Sequence, residues 1–384
     1  MIETPPEIAP PADWGEPPDI AAPNEYLPSG AEARTAAPPP VARPLSALVR
    51  PVESDDPNEL LRHRYLCRGG GLLFCGPTGI GKSALAIQAA ILWRLCRVCC
   101  GIIPARPLKS LIVQAEDDDG DMAEMRDGSI RGLALSGADA EAACAGVLVV
   151  TEDARTGARL CSEVLRPLLA DHHPDLLWLN PALAYLGGES NAQKDVGIFL
   201  RGGLNPLLHE YGCAGIPIHH TNKPPTGRQK PDWLAGDFAY LGTGSAEWAN
   251  WARAVLALRS IGSHETFELQ AGKRGGRLGW READGQTKSY VRYLAHATEP
   301  GAICWHEVDP ADMAPEGRPK SVNSDELLAI LPAGGLAAGK WQKLAKIECG
   351  ISEATFHRER RALERAKRIL KSQVTGRWQP IQKP

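Results

Sequence analysis

Residues 76–83 read Gly76-Pro77-Thr78-Gly79-Ile80-Gly81-Lys82-Ser83, an unbroken G-x-x-x-x-G-K-[ST]. Glycines at this spacing let a backbone curl until its amides converge, and converging amides bind phosphate oxygens. An apolar strand pattern, Leu72–Cys75, runs into the loop, and Leu85, Ala89 and Leu92 run out of it at helical spacing. A helix starting there adds partial positive charge at the same point. In such a loop Lys82 reaches the β- and γ-phosphates and Ser83 ligates Mg²⁺, so the implied cofactors are ATP and Mg²⁺.

Hydrolysis also needs a group that orients or deprotonates water near the γ-phosphate. The next apolar strand ends in Gln114-Ala115-Glu116-Asp117-Asp118-Asp119. The C-terminal end of a strand is where open α/β sheets bind their ligands. Acids that open a helix complement its dipole, which accounts for Asp118 and Asp119. Two further strands end in Asn180-Pro181 and in His219-His220-Thr221-Asn222-Lys223. Adjacent histidines on a strand point to opposite faces, so one of the pair is expected to be packed.

The order of these motifs resembles RecA-like ATPases of the RepA hexameric-helicase and DnaB type, within the AAA-type ATPases. The resemblance runs over roughly residues 60–280, from the phosphate loop through Gln114-Ala115-Glu116-Asp117 and Asn180-Pro181 to Ile218-His219-His220-Thr221-Asn222-Lys223. It implies that Glu116 activates the attacking water and that His220 contacts the γ-phosphate. Where that family carries a second metal-site carboxylate, this chain has Asn180, whose carbonyl could hold a Mg²⁺-bound water without supplying charge. Either Asp117 or Glu189 compensates, or hydrolysis is slow, or ATP acts mainly as a switch. The family places a channel-facing loop at residues 224–231, where Arg228 and Lys230 would contact single-stranded DNA. Ala271-Gly272-Lys273-Arg274-Gly275-Gly276-Arg277 resembles the segment that lends a Lys and an Arg to the neighbouring subunit. The family spacing is Lys-x-Arg, so Lys273 with either Arg274 or Arg277 is the expected set.

These groups need a scaffold. Leu72–Cys75, Ser110–Ala115, Val147–Val150, Leu176–Leu179 and Gly215–His219 read as buried strands. Between them Lys82–Leu95, Asp119–Leu133, Ala158–Ala170 and Lys194–Tyr211 read as helices. Alternation of this kind predicts an α/β fold: a RecA-like, mainly parallel sheet with helices on both faces. Ala254–Arg259, Thr266–Leu269 and Ser289–Ala295 lack intervening helices and predict an antiparallel extension.

The expected domains are a disordered Pro/Ala-rich arm over 1–55, the ATPase domain over 56–308, a linker over 309–322, and a small C-terminal domain over 323–384. That last segment is basic: residues 320–384 hold 13 Lys and Arg against 6 acids, whereas residues 1–60 hold 11 acids against 3 bases. A nucleic-acid partner would meet the basic end first. Leu336–Ile347 and Glu353–Leu370 read as helices with a turn between, and Lys371–Ile381 as a hairpin turning at Gly376. The pattern resembles a winged helix-turn-helix. Phe356, Leu363 and Leu370 would form its apolar stripe, and Arg358, Arg361, Arg365 and Arg368 its nucleic-acid-binding face.

The rest of the chain narrows the class. Of ten cysteines, Cys96, Cys99 and Cys100 cluster and seven are scattered; no second Cys/His pair follows at a metal-ligand interval, so they read as reduced thiols. No apolar run approaches the ~20 residues a membrane span requires. The acidic, Pro-rich start lacks the pattern of a signal peptide, which makes the cytoplasm the expected location. The expected activity is that of an oligomeric, ring-forming nucleic-acid motor, a helicase or loader acting in replication or recombination. The alternative is a DNA-bound switch with slow turnover. A metabolic kinase could use the same loop, but nothing in the sequence resembles an acceptor site.

Overall fold

The computed structural model describes residues 41–52, 56–221, 242, 244–261, 266–282, 284–309, 324–349, 351–373 and 375–381. The chain divides into two compact units, Met1–Val52 and Glu53–Pro384. Of the first, residues 41–52 are exposed and include one short turn of 3₁₀ helix, Leu45–Ala47.

The second unit opens with a small hairpin, β1 (Glu59–Leu61) and β2 (Leu66–Cys67). Seven strands of a nine-stranded sheet then follow in the order β3 (Leu72–Gly76), β4 (Ser110–Gln114), β5 (Val147–Thr151), β6 (Leu176–Asn180), β7 (Ala214–His220), β8 (Ala254–Ser260) and β9 (Thr266–Lys273). Strands β10 (Val291–His296) and β11 (Trp305–Glu307) complete it. The spatial order is β11-β10-β9-β8-β3-β7-β6-β4-β5. From β8 to β5 every pairing is parallel, and β9, β10 and β11 join antiparallel. This is the expected mainly parallel α/β sheet with its antiparallel extension. Strand β3 is separated from β4 by β7 and β6, so the ends of four neighbouring strands meet at one edge.

Helices cover both faces because each central strand is apolar on both sides. Leu72 and Phe74 join one buried cluster with Leu85, Ala89 and Trp93 of α1 (Lys82–Arg94). Leu73 and Cys75 join the other, with Leu165, Leu200 and Leu204. The α1 face also carries α2 (Asp119–Gly132), followed in the chain by α3 (Gly137–Cys144). Trp93 stacks on Trp178 of β6 at 5.9 Å between ring centroids, and Trp178 Nε1 donates to Ser110 Oγ at 3.2 Å. That stack ties the phosphate-loop helix to the strand that ends in Asn180.

The other two expected helices differ from a plain α-helix. Each contains a wider turn, Leu160–Leu165 in one and Ile198–Leu204 in the other. Pro167 and Pro206 lie just beyond, at the start of Arg166–His172 and Asn205–Glu210. A proline inside a helix lacks its amide donor and clashes with the preceding turn, and a π-type turn accommodates both. The sequence reading did not anticipate β1, β2, β11, α3 or the helix Glu247–Trp251.

The C-terminal segment has its own core of Leu327, Leu331, Trp341, Phe356, Leu363, Ile369 and Trp378. Its helices are Ser324–Ala329, Ala338–Glu348 and Glu353–Arg365, followed by β12 (Ile369–Lys371) and β13 (Trp378–Pro380) as an antiparallel hairpin. Two expectations change here. The last helix stops at Arg365, so Arg368 lies beyond it and Leu370, on β12, is exposed. The stop is a Schellman closure: Lys367 takes φ 53°, its amide bonds Glu364 O at 3.0 Å, and the Arg368 amide bonds Leu363 O at 3.0 Å. Ile369 takes the core position that the heptad spacing gave to Leu370.

The Trp93–Trp178 stack yields a test. Trp178→Ala should destabilise the protein by about 3–5 kcal/mol, as large-to-small core changes do. Urea unfolding of the full chain measures this, and a loss under about 1 kcal/mol would show that the stack does not hold α1 to β6.

Candidate nucleotide site

Four strand ends assemble the site. Gly76 closes β3, Gln114 β4, Asn180 β6 and His220 β7. Gly76 pairs with His220, and Gln114 with Asn180, across the sheet. The register therefore fixes which groups are neighbours.

In the loop Gly79 and Gly81 take φ of 74° and 90°, a region that L side chains avoid. A Cβ at Gly79 would meet nothing within 4 Å, whereas one at Gly76 would meet Leu258 O at 2.7 Å. The loop thus turns tightly against β8 and opens outward at Gly79. Helix α1 has no capping side chain and no acid in its first turn. Its first amides therefore suit the oxygens of an anion, the donor set a polyphosphate needs.

Lys82 is buried, and its Nζ donates to Pro77 O at 2.7 Å and lies 3.3 Å from His220 Nδ1. Thr78 Oγ1 is 3.2 Å from the same nitrogen. An ammonium can only donate, so Nδ1 is the acceptor and the imidazole proton sits on Nε2. Burial lowers the Lys82 pKa to about 8, against the opposing pull of Cys75 and Glu116. Burial and the Lys82 charge likewise hold His220 below its ordinary value, against Glu116. The exposed Glu116 carboxylate is thus close enough to act electrostatically on both groups. His219 is fully buried, 4.6 Å from the Trp248 ring.

The acidic run separates into two pairs of roles. Asp118 caps α2: its Oδ1 accepts from the Asp121 amide at 2.8 Å, and Asp121 Oδ2 accepts from the Asp118 amide at 3.2 Å. Asp119 lies in the first turn. Glu116 and Asp117 precede the helix. Gln114 Oε1 accepts from the Asp117 amide at 2.8 Å, while its Nε2 donates to Asp117 O and to Thr151 Oγ1. Burial, then Asp121, Glu116 and Asp118, raise the Asp117 pKa.

Asn180 Nδ2 donates to Ser83 Oγ at 3.0 Å. The two side chains expected around Mg²⁺ therefore touch, and both are neutral. Such a pair can supply oxygen ligands, but negative charge has to come from phosphates or from the acids at the end of β4. Glu189 is exposed, its amide bonded to Asp195 at 2.9 Å.

The basic segment after β9 bonds within its own chain. Lys273 Nζ donates to Ala249 O, Asn250 O and Ala252 O at 3.0, 3.4 and 2.6 Å, closing the end of the helix Glu247–Trp251. Arg274 donates to Arg64 O at 3.1 Å and Arg277 to His63 O at 2.9 Å. Neither arginine has a carboxylate partner among the described residues. Burial, then Arg277 and Arg253, lower the Arg274 pKa. Arg228 and Lys230 lie outside the described residues. Arg358, Arg361 and Arg365 are exposed on the helix Glu353–Arg365, and Arg368 is exposed beyond it.

Sequence reasoning missed three residues beside the site. Gln114 anchors the acidic loop. Tyr185 is buried with no hydrogen-bond partner for its hydroxyl among the described residues, and burial, then Glu152, Asp153 and Glu116, push its pKa well up. Trp305 sits against Gly81. Only Gln114 left a signal, as a polar residue closing an apolar strand.

Residues 38–226 match the AAA domain family. That stretch carries the phosphate loop, the acidic strand end, Asn180 and His220. Fold and loop geometry together make residues 76–83 a candidate phosphate-binding P-loop at the strand ends of a mainly parallel α/β sheet. The structure is similar to the crystal structure of the RadB recombinase, at 12% identity over 59% of this chain and 87% of that one, with a TM-score of 0.39. No curated protein matches the chain. No helix among the described residues is long and apolar enough to cross a membrane.

The lowered Lys82 pKa sets a pH dependence. A bound polyphosphate favours the ammonium, so binding raises this pKa from about 8. Affinity should be full below that value and fall as pH rises through it, with proton uptake on binding near pH 8.5 to 9. Calorimetric titration with MgATP in buffers of different ionisation enthalpy measures the uptake. Lys82→Arg should abolish it, and Lys82→Ala should abolish hydrolysis while the circular dichroism stays unchanged.

Proposed function

We propose that this protein is an oligomeric, ATP-hydrolysing nucleic-acid motor, a helicase or loader of the RepA type. The observation that supports it most is the row of exposed arginines, Arg358, Arg361 and Arg365, on a helix of a basic module in the same chain as the ATP site. A helix presenting such a face suits a DNA groove, with β12 and β13 as the wing of a winged helix-turn-helix. Arg368, displaced past the helix end, remains on the exposed surface as a backbone contact. Arg228 and Lys230 keep their proposed contact with single-stranded DNA.

In the catalytic cycle the loop amides, Lys82 and Ser83 hold the triphosphate and its metal. Glu116 orients and deprotonates the water. His220, neutral and facing Lys82, reads the γ-phosphate. Arg274 and Arg277, which lack carboxylate partners among the described residues, are the groups we assign to a neighbouring subunit's γ-phosphate. Lys273 supports them by capping a helix end. An arginine supplied this way contributes ~10³-fold or more to the rate.

Single-stranded DNA should stimulate hydrolysis by the full-length chain, and specific activity should rise with protein concentration as subunit interfaces form. Arg274→Ala and Arg277→Ala should remove that concentration dependence. A rate that neither DNA nor dilution alters would sink the motor reading.

One observation favours a second reading, a DNA-bound switch with slow turnover. The Asn180–Ser83 contact places a neutral amide where the resembling family has a carboxylate. Replacing Asn180 by Asp distinguishes the two: a rise in kcat of about tenfold or more indicates an attenuated natural site, and an unchanged or lower kcat favours the motor.

A further inference from the structure

A ring from the far end of the sheet lies on the phosphate loop. Trp305, on β11, is 4% exposed, and a Cβ at Gly81 would come within 2.7 Å of its Cζ2. Gln88 of α1 seats it by two bonds: Trp305 N donates to Gln88 Oε1 at 2.7 Å, and Gln88 Nε2 donates to Trp305 O at 2.8 Å. Phe267 and His296 meet the same ring edge-on, at centroid distances of 4.6 and 4.2 Å. The indole is thus fixed by its backbone and by its aromatic neighbours.

The segment leading into β11 grips α2 as well. Cβ atoms at Gly128 and Gly132 would come within 2.6 Å of Ile303 Cβ and 2.2 Å of Cys304 Sγ. Ser129 Oγ donates to Ile303 O at 3.1 Å, and Arg131 donates to Pro300 O at 3.2 Å. Residues 300–305 therefore run from the helix that follows the Glu116 loop to the helix that follows the phosphate loop. Gly81 just before α1, and Gly128 and Gly132 on α2, let the segment approach closely, since a Cβ at any of them would clash with it.

We infer that Trp305 is a positioning residue for the phosphate loop, and that residues 300–305 hold the start of α1 and the C-terminal end of α2 in one arrangement. Gly81 sits at φ 90° immediately before Lys82. A glycine without a neighbour there samples both signs of φ, and that freedom is lost whenever the loop closes on a phosphate. The indole removes the freedom beforehand, so the loop binds already ordered. This rests on the ATP-site reading of residues 76–83.

The test uses the full chain, titration with MgATP, and steady-state kinetics. Trp305→Ala should weaken MgATP binding and raise KM by about tenfold while kcat stays within about threefold, and Trp305→Phe should recover most of the affinity. A purely structural role lowers Tm and leaves KM unchanged, and wild-type affinity in Trp305→Ala overturns the inference. Should that variant fail to fold, Gln88→Met, which breaks both seating bonds, decides by the same criterion. Wild-type protein without MgATP affinity would overturn the ATP-site reading and this inference with it. Wild-type binding with an unaltered variant overturns the inference alone.

Discussion

The site depends on an ammonium that the fold has withdrawn from water with no carboxylate bonded to it. Lys82 is buried, bonded to a main-chain carbonyl, and close to a neutral imidazole. Desolvating a cation costs free energy unless an anion arrives, and that cost is what makes the loop receptive to a polyphosphate. Glu116 is near enough to temper the cost but is itself exposed. The loop therefore holds its charge ready for a ligand instead of neutralising it with a salt bridge.

The sheet exists, in effect, to keep four strand ends in register around that ammonium. Gly76 and His220 are paired neighbours, as are Gln114 and Asn180. A slip of one residue in either pairing would exchange the buried His219 for His220 at the site, or turn Gln114 away from the acidic loop. Both faces of the sheet are packed, which makes such a slip costly. The Trp93–Trp178 stack on one side of α1 and the Trp305–Gly81 contact at its start hold the helix in place.

Polar groups around the loop divide between chemistry and support. Asp118 and Asp121 cap the start of α2, and Gln114 satisfies the loop before it, so the Glu116 and Asp117 carboxylates stay outside those bonds. Lys273 satisfies carbonyls at a helix end, while Arg274 and Arg277 each use one donor on a carbonyl of the β1–β2 turn. Neutral Asn180 beside Ser83 leaves the end of β6 less negative than a carboxylate there would.

Local chemistry made much of this legible in the sequence. A phosphate loop is eight consecutive residues, and strand and helix periods around it are short-range signals, so the loop, the parallel strands and the acid at the end of β4 could all be read directly. The helix-opening place of Asp118 and Asp119 was legible too, whereas the capping box of Asp118 with Asp121 came from the structure. Other features needed the fold, because they join residues far apart in the chain. Nothing near Gly81 announces a tryptophan 224 positions later, and nothing near Lys273 announces the carbonyls it caps. The heptad that put Leu370 on a helix was overruled by a left-handed residue, Lys367, and by the better burial of Ile369. Sequence determined which groups could bind phosphate, since that depends on backbone conformation over a few residues. Tertiary structure alone decided which groups surround them, since side-chain contacts over long separations are set by the packing of the whole core.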